Sequence, residues 1–327
     1  MAWERARLGA ASQRAAIDSA VHGVGQEEHQ GDEMTSDAPA TMGVWLAPEA
    51  FAIAEVASVA QTIETLGYET LWYAETFGRD PFALGAYLGT HTSTLRIATG
   101  IANIFNRHAG VMKQGANTVA EITGGRFTLG LGVSSPDIVV KARGADYSKP
   151  LTQLAEYLDH YEKSLYFSVP PPEPPPIVLA ALGPKMLELA RTRDLGVLTY
   201  NVTPEHTARA REALGPQGYV AVEQKVILST DASLARATAA STLKFYRRAP
   251  GYRRAWQSLG FSDEDIDTPS ERYLDTIVAW GTEDQIRARL DEHVAAGADH
   301  VCIQPLHPEY GILQVDHDAL RAFAPGT

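Results

Sequence analysis

The sequence is short of several things that particular classes of protein require. Its 327 residues carry 28 lysines and arginines against 40 aspartates and glutamates, and this net charge of −12 argues against a nucleic-acid binder with a basic surface. The single cysteine, Cys302, cannot form an internal disulfide, which favours a reducing cytoplasm. No apolar run reaches the roughly 20 residues that span a bilayer. We therefore expect a soluble cytoplasmic protein that binds neither nucleic acid nor membranes.

Motifs for several common chemistries are also absent. The chain has no Walker-type phosphate loop, no HExxH zinc motif and no GxSxG nucleophile elbow. Its carboxylates and histidines are scattered without the spacing of metal ligands, so we predict no metal site. The absence of these motifs is compatible with an enzyme that acts on a small molecule through a bound organic cofactor.

The first 40 residues differ in composition from the rest. Residues 25–39 are polar, with no aromatic side chain and no hydrophobic periodicity, as is typical of a flexible tail. We predict a flexible extension over residues 1–40 and a single domain over residues 41–327.

From Met42 onward, short apolar runs alternate with amphipathic helical segments, a pattern that predicts a parallel sheet. Eight such runs occur, at 42–47, 70–74, 95–102, 126–133, 177–181, 196–200, 219–229 and 300–304. The first run is followed by no glycine-rich fingerprint, which argues against an open dinucleotide-binding sheet. The count of eight favours a (β/α)8 TIM barrel with insertions at its C-terminal face, near 134–150 and over about 232–280.

In such a barrel the active site lies at the carboxyl ends of the strands, and this rule selects the candidate residues. Trp45, Glu75, Asn103, Ser134 and Tyr200 all follow or end a predicted strand. Glu75 could equally be an exposed carboxylate paired with Arg79, and Tyr200 could be core filler.

The junction between the fifth strand and the next helix predicts an anion site. It reads Ala181-Leu182-Gly183-Pro184-Lys185, and the free backbone N–H groups of a helix start suit a phosphate.

Three segments resemble the luciferase-like monooxygenase superfamily, and more narrowly its actinobacterial branch of coenzyme F420-dependent oxidoreductases. They are LWYAETFGRDP at 71–81, ATGIANIFNRH at 98–108 and TGGRFTLGLGV at 123–133. The resemblance implies an enzyme with a (β/α)8 barrel, an insertion before the eighth strand and a homodimer.

The resemblance also implies where a deazaflavin would bind. It places a non-prolyl cis peptide at Gly100–Ile101, behind the cofactor ring, where glycine allows close approach of the backbone. It puts Glu75 and Thr76 beside the ring, with Asn103 near it. The remaining cofactor contacts are assigned to Ser134 and to the junction of Ala181, Leu182, Gly183, Pro184 and Lys185 on the cofactor phosphate.

One departure from the family bears on the reaction. Several deazaflavin-dependent dehydrogenases carry a histidine acid/base where this chain has Thr76, and a hydroxyl does not titrate near neutrality. We therefore expect hydride transfer between coenzyme F420 and an organic substrate, with reduction favoured over oxidation. Glu75, or a water that it holds, is the predicted catalytic group, and Trp45, Tyr200 and Tyr252 are the predicted substrate contacts.

Two alternatives stay open. The chain could be an FMN-dependent monooxygenase of the same superfamily, or a barrel that binds the cofactor without catalysis.

A basic cluster in the insertion also has two interpretations, since it could attract an anionic cofactor tail or be a solvated helix face. Its members are Lys244, Arg247, Arg248, Arg253 and Arg254.

Overall fold

A computed structural model describes residues 40–326 of the chain. The predicted flexible extension therefore lies outside the described residues, apart from Ala40. Within residues 40–326, no helix has both the length and the apolarity that crossing a membrane requires.

Eight parallel strands close into a barrel. The strands are β1 (Thr41–Leu46), β2 (Thr70–Tyr73), β3 (Arg96–Thr99), β4 (Phe127–Gly132), β5 (Ile177–Ala180), β6 (Gly196–Thr199), β7 (Val220–Leu228) and β9 (His300–Pro305). β1 pairs with β2 on one side and with β9 on the other, and β9 in turn pairs with β7, so the ring has no free edge. The (β/α)8 fold that the alternating pattern predicts is confirmed. A further strand, β8 (Val278–Gly281), pairs with the end of β7 outside the ring.

Helices cover the outside of the barrel. They are α1 (Ile53–Thr65), α2 (Pro81–His91), α3 (Ala109–Ile122), α4 (Pro150–Lys163), α5 (Pro184–Thr192), α6 (Pro204–Leu214), α7 (Ala232–Leu243), α8 (Pro250–Ser258), α9 (Asp263–Asp267), α10 (Glu271–Ile277), α11 (Glu283–Ala295) and α12 (His317–Ala322). Their apolar faces pack on the strands, where Ile63, Leu71, Val119 and Phe127 are fully or almost fully buried. Thr282 and Gln285 form a capping box at the start of α11.

The predicted insertion over about 232–280 consists of four α-helices, a short 3-10 helix (Tyr246–Arg248) and the strand β8. Pro250 begins α8, while Ser262 and Ser270 cap α9 and α10 with their side chains. These starts break the region into short pieces, which lets α8 turn back over the carboxyl ends of the strands.

β3 is interrupted by a bulge. A two-residue strand, Ala102–Asn103, continues beside β4, but four residue steps from Ala98 to Ala102 face only three from Thr128 to Leu131. Gly130 makes room for the bulge, because a Cβ there would overlap the carbonyl oxygen of Thr99. The glycine in the LGLG run of β4 is thereby explained by close backbone approach.

Candidate functional site

A cavity of about 610 Å³ lies at the carboxyl ends of the barrel strands. This volume is in the ordinary range for sites that bind cofactors and small molecules. Thirteen of the fourteen predicted site residues line it, namely Trp45, Glu75, Thr76, Gly100, Ile101, Ser134, Ala181, Leu182, Gly183, Pro184, Lys185, Tyr200 and Tyr252.

One predicted residue, Asn103, does not line the cavity. It is completely buried, and its side chain accepts a hydrogen bond from the backbone N–H of Phe105 (3.1 Å) at the start of a short 3-10 turn. The Asn103 side chain therefore does not reach the cavity, and its position does not support the predicted contact with a cofactor. Asn103 instead contacts the site through its backbone, whose N–H group donates a hydrogen bond to Oε2 of Glu75 (2.8 Å).

The bulge of β3 forms one wall of the cavity, and its Gly100–Ile101 peptide bond is cis, as the family resemblance predicts. The backbone at the end of β2 holds this peptide from one side: Gly100 N–H donates to the Tyr73 carbonyl (2.7 Å) and Glu75 N–H to the Ile101 carbonyl (3.1 Å). A Cβ at Gly100 would lie 3.0 Å from Nε1 of Trp45 and 3.1 Å from Cδ2 of Leu198. Only glycine leaves this wall flat enough for a ring to approach the backbone.

Glu75 is held by Arg107 rather than by Arg79. Arg107 binds both carboxylate oxygens, with Nη2–Oε1 at 2.5 Å and Nη1–Oε2 at 2.9 Å, and only 7% of the Glu75 side chain is exposed. Burial alone would lower the pKa of Arg107, but the hydrogen bonds and charge of Glu75 outweigh it and raise the pKa. Arg79 instead donates to the carbonyls of Pro48 and Phe51. The alternative that pairs Glu75 with Arg79 is wrong.

Thr76, which also lines the cavity, donates its hydroxyl hydrogen bond to Oε1 of Glu49 (2.6 Å).

The junction before α5 presents unused hydrogen-bond donors to the cavity. Across the described residues, the backbone N–H groups of Leu182, Gly183 and Lys185 donate to no protein acceptor, and Gly183 caps α5 without a side-chain bond. The Lys185 side chain and Arg254 on α8 also line the cavity, and neither forms an ion pair with a described residue. Free amides, a helix start and two unpaired cations together make this end of the cavity suited to an anionic group.

The basic cluster of the insertion is divided between two roles. Arg253 pairs with Asp263 and Asp267, which ties α8 to α9, and Arg247 donates to carbonyls at the end of α9. Lys244 and Arg248 are exposed and do not line the cavity, so of the five cations only Arg254 reaches it.

An aromatic wall, which we define as Trp45, Tyr200, Tyr246 and Tyr252, forms another side of the cavity. The ring centroids of Trp45 and Tyr200 are 5.3 Å apart, those of Tyr200 and Tyr246 are 5.4 Å apart, and those of Tyr246 and Tyr252 are 5.2 Å apart. These distances are typical of packed aromatic pairs. Tyr246 was not predicted to line the cavity, although it lies near Tyr252 in the sequence, and Arg254 was predicted only as one of the five cations of the basic cluster.

The three phenols of this wall are neutral, and the hydroxyls of Tyr200 and Tyr246 are hydrogen-bonded within the protein. Tyr200 donates its only hydroxyl proton to Oε1 of Gln304 (2.9 Å), so Tyr246 is the donor in the 3.0 Å bond between the two hydroxyls. Burial raises the pKa of Tyr246 to about 12 and the pKa values of Tyr200 and Tyr252 well above 10. The wall therefore presents uncharged rings to a ligand.

A buried ion pair stands behind the wall. Nζ of Lys225 lies 3.1 Å from Oε1 of Glu223, and both side chains are fully shielded from solvent. The same Nζ lies 3.8 Å from the ring centroid of Tyr200. Burial lowers the pKa of Lys225 to about 8, against the opposing effect of Glu223, and raises the pKa of Glu223. The pair was not predicted from the sequence, although residues two apart in a strand share a face.

Comparison with known proteins places this site in a family. Residues 33–300 match the family model described as luciferase-like monooxygenase, and the chain therefore belongs to the luciferase-like monooxygenase family. This confirms the family resemblance read from the three sequence segments and supports the prediction of an enzyme.

One curated relative is a protein of Mycobacterium tuberculosis named as a coenzyme F420-dependent oxidoreductase. This chain is 33% identical to it over 118 residues, which cover 36% of this chain and 33% of the relative. The match thus spans about a third of that protein's length.

Two solved structures share the fold. An F420-dependent secondary alcohol dehydrogenase in complex with an F420–acetone adduct superposes with a TM-score of 0.71 at 14% identity, over 88% of this chain and 98% of that one. The oxygenating constituent of 3,6-diketocamphane monooxygenase of Pseudomonas putida, in complex with FMN, superposes with a TM-score of 0.65 at 14% identity, over 88% and 97%. Members of both cofactor types therefore have this barrel.

Proposed function

We propose that this chain is a coenzyme F420-dependent oxidoreductase that transfers a hydride between the deazaflavin and a small organic substrate, with reduction of the substrate as the favoured direction. The observation that carries the proposal is the Gly100–Ile101 bulge, whose flat backbone faces a cavity with an anion-binding end. The relative from Mycobacterium tuberculosis supports the choice of F420, and the absence of a histidine at Thr76 supports reduction.

The residues present fit a deazaflavin in several respects. The glycine wall accepts a flat ring, while the free N–H groups of Leu182, Gly183 and Lys185, with the side chains of Lys185 and Arg254, would hold an anionic tail. When bound, coenzyme F420 supplies a ring carbon that gives or accepts a hydride.

The protein's own groups then have distinct tasks. Thr76 and Ser134 would border the ring, and the aromatic wall would hold the substrate on its other side. Glu75, or a water that it binds, would handle the proton, with Arg107 fixing the orientation of the carboxylate. A homodimer is proposed from family resemblance alone, and size-exclusion chromatography with light scattering measures it directly.

Two parallel assays, one anaerobic with reduced F420 and one with oxygen and reduced FMN, separate this function from its alternatives. Reduced F420 is mixed with the full chain and a panel of ketones and conjugated enones, and its absorbance is followed; in parallel, reduced FMN and oxygen are supplied with the same panel while oxygen uptake is recorded. We expect acceptor-dependent oxidation of reduced F420 and no substrate-dependent oxygen uptake. Substrate-dependent uptake with reduced FMN would instead support the monooxygenase, and F420 binding without turnover would support a cofactor-binding protein.

A further inference from the structure

We infer that the substrate of this cavity is an uncharged, flat compound, aromatic or conjugated, which stacks against the aromatic wall of Trp45, Tyr200, Tyr246 and Tyr252. This inference rests on the proposed function for the location of the cofactor and goes beyond it in naming the substrate class. The inference depends on which charged side chains around the cavity are paired within the protein and which are free.

Two charged groups beside the aromatic wall are already neutralised within the protein, and a third, Glu49, is exposed to solvent and does not line the cavity. The charge of the Glu75 carboxylate is balanced by Arg107, and the charge of Lys225 is balanced by Glu223. A charged substrate placed here would lose its hydration without gaining a free counter-charge, which is costly in a buried site.

The unpaired cations lie at another part of the cavity. Lys185 lies in the first turn of α5, after β5, and Arg254 is on α8. The first turn of α8 approaches the same junction, since a Cβ at Gly251 would lie 4.0 Å from Cδ1 of Leu182.

The wall runs from Trp45 on β1 and Tyr200 after β6 to Tyr246 and Tyr252 in the insertion. Gln304 of β9 and Lys225 of β7 contact Tyr200 from behind. Tyr252 shares α8 with Arg254, but residues two apart on a helix do not face each other. The cofactor's anionic tail would occupy the cationic end, which leaves the aromatic end for the substrate.

A cationic substrate is also disfavoured, although rings can attract cations. Nζ of Lys225 already lies 3.8 Å from the centroid of Tyr200 and 5.3 Å from that of Tyr246, so a resident cation uses these rings. A second cation would compete with Lys225 for the same rings.

The ring planes are fixed in advance, which favours a rigid flat ligand. The hydroxyl chain from Tyr246 through Tyr200 to Gln304 locks two phenols, and Tyr252 packs on Trp256, with ring centroids 5.7 Å apart. Trp256 in turn donates to the Asn201 carbonyl (2.9 Å). Because the side chains of the wall are already ordered, they lose little conformational entropy when a ligand stacks on them.

The test uses three naphthalene probes that differ in the charge of one substituent: 2-acetonaphthone, 2-naphthoate and 2-naphthylmethylammonium. Equilibrium dialysis against the full chain is run with and without saturating cofactor, and cofactor binding is measured separately by its own fluorescence. We expect the neutral ketone to bind at least about tenfold more tightly than either ion. We expect Tyr246→Ala to weaken the ketone about tenfold without changing cofactor affinity. Tyr310→Ala, an exposed residue outside the cavity, is the matched control.

Three other results of these binding measurements would overturn the inference. Equal or tighter binding of the naphthoate overturns the inference and assigns Lys185 and Arg254 to the substrate, and tightest binding of the ammonium overturns it in favour of a cation cage. An unchanged ketone affinity in Tyr246→Ala, with the variant's circular dichroism intact, also refutes it. Failure of F420 and FMN to bind, with the probe preference retained, refutes the proposed function alone.

Discussion

Replacement of Glu75 by glutamine distinguishes a proton-handling carboxylate from one that only holds the site together. In the wild-type chain, the Glu75 carboxylate accepts two hydrogen bonds from Arg107 and one from the Asn103 N–H. Glutamine keeps one oxygen but turns an amide N–H₂ toward the guanidinium, so at least one donor–acceptor pair becomes donor against donor.

The structure sets the size of the stability effect. The two side chains are 7% and 11% exposed, and Arg107 keeps a 3.1 Å contact with Asp80 after the change. We therefore expect Glu75→Gln to lower the free energy of unfolding by about 2–3 kcal/mol, below the value for a fully buried pair. Urea unfolding at pH 7 measures it.

Arg107→Met is the matched variant, because it breaks the same ion pair and keeps the carboxyl group. If Glu75 handles the proton, single-turnover hydride transfer from reduced F420 should fall about 10²- to 10⁴-fold in Glu75→Gln and far less in Arg107→Met. Cofactor affinity, measured in both variants, corrects for incomplete loading. Equal rates in the two variants would refute the catalytic assignment and leave Glu75 a positioning residue.

Three further predictions follow from named contacts. Burial lowers the pKa of His293 from 6.5 to about 3, so below pH 6.5 the unfolded chain binds a proton that the folded chain does not. The free energy of unfolding should therefore fall by about 1.4 kcal/mol per pH unit below pH 6.5. Urea unfolding of His293→Gln at pH 7 and pH 5 should lack this contribution. Arg253→Glu should lower the melting temperature and leave cofactor affinity unchanged, whereas Arg254→Glu should weaken F420 binding about tenfold with little change in melting temperature. Gly100→Ala should weaken cofactor binding at least about tenfold in the same titration, because its Cβ would press on Trp45 and Leu198.

The barrel could be predicted from the sequence because each strand is a short apolar run bounded by helical segments, and such a pattern is visible locally along the chain. The strand ends then follow from the fold, and most of the predicted residues, Trp45 and Tyr200 among them, line one cavity. Contacts between strand ends were harder to predict. Arg79 is four residues from Glu75, whereas the actual partner, Arg107, follows the next strand of the barrel, and proximity along the chain says nothing about that neighbour.

Other features needed the three-dimensional arrangement. The Glu223–Lys225 pair lies within a strand whose other residues are mostly apolar, and only barrel closure shows that this face turns inward. Asn103 ends a strand in the sequence, but the bulge at Gly100–Ile101 shifts its register and buries its side chain. A bulge changes which face a residue occupies, and alternation alone cannot report it.

The central claim is that this cavity binds coenzyme F420, and a fluorescence titration of the full chain tests it most directly. Oxidised F420 and, separately, FMN are titrated under the same conditions, with Arg254→Glu as the variant that should weaken binding. The account predicts micromolar or tighter binding of F420, one site per chain, and no comparable binding of FMN. Preferential binding of FMN would contradict the account and place the chain with the flavin-dependent monooxygenases.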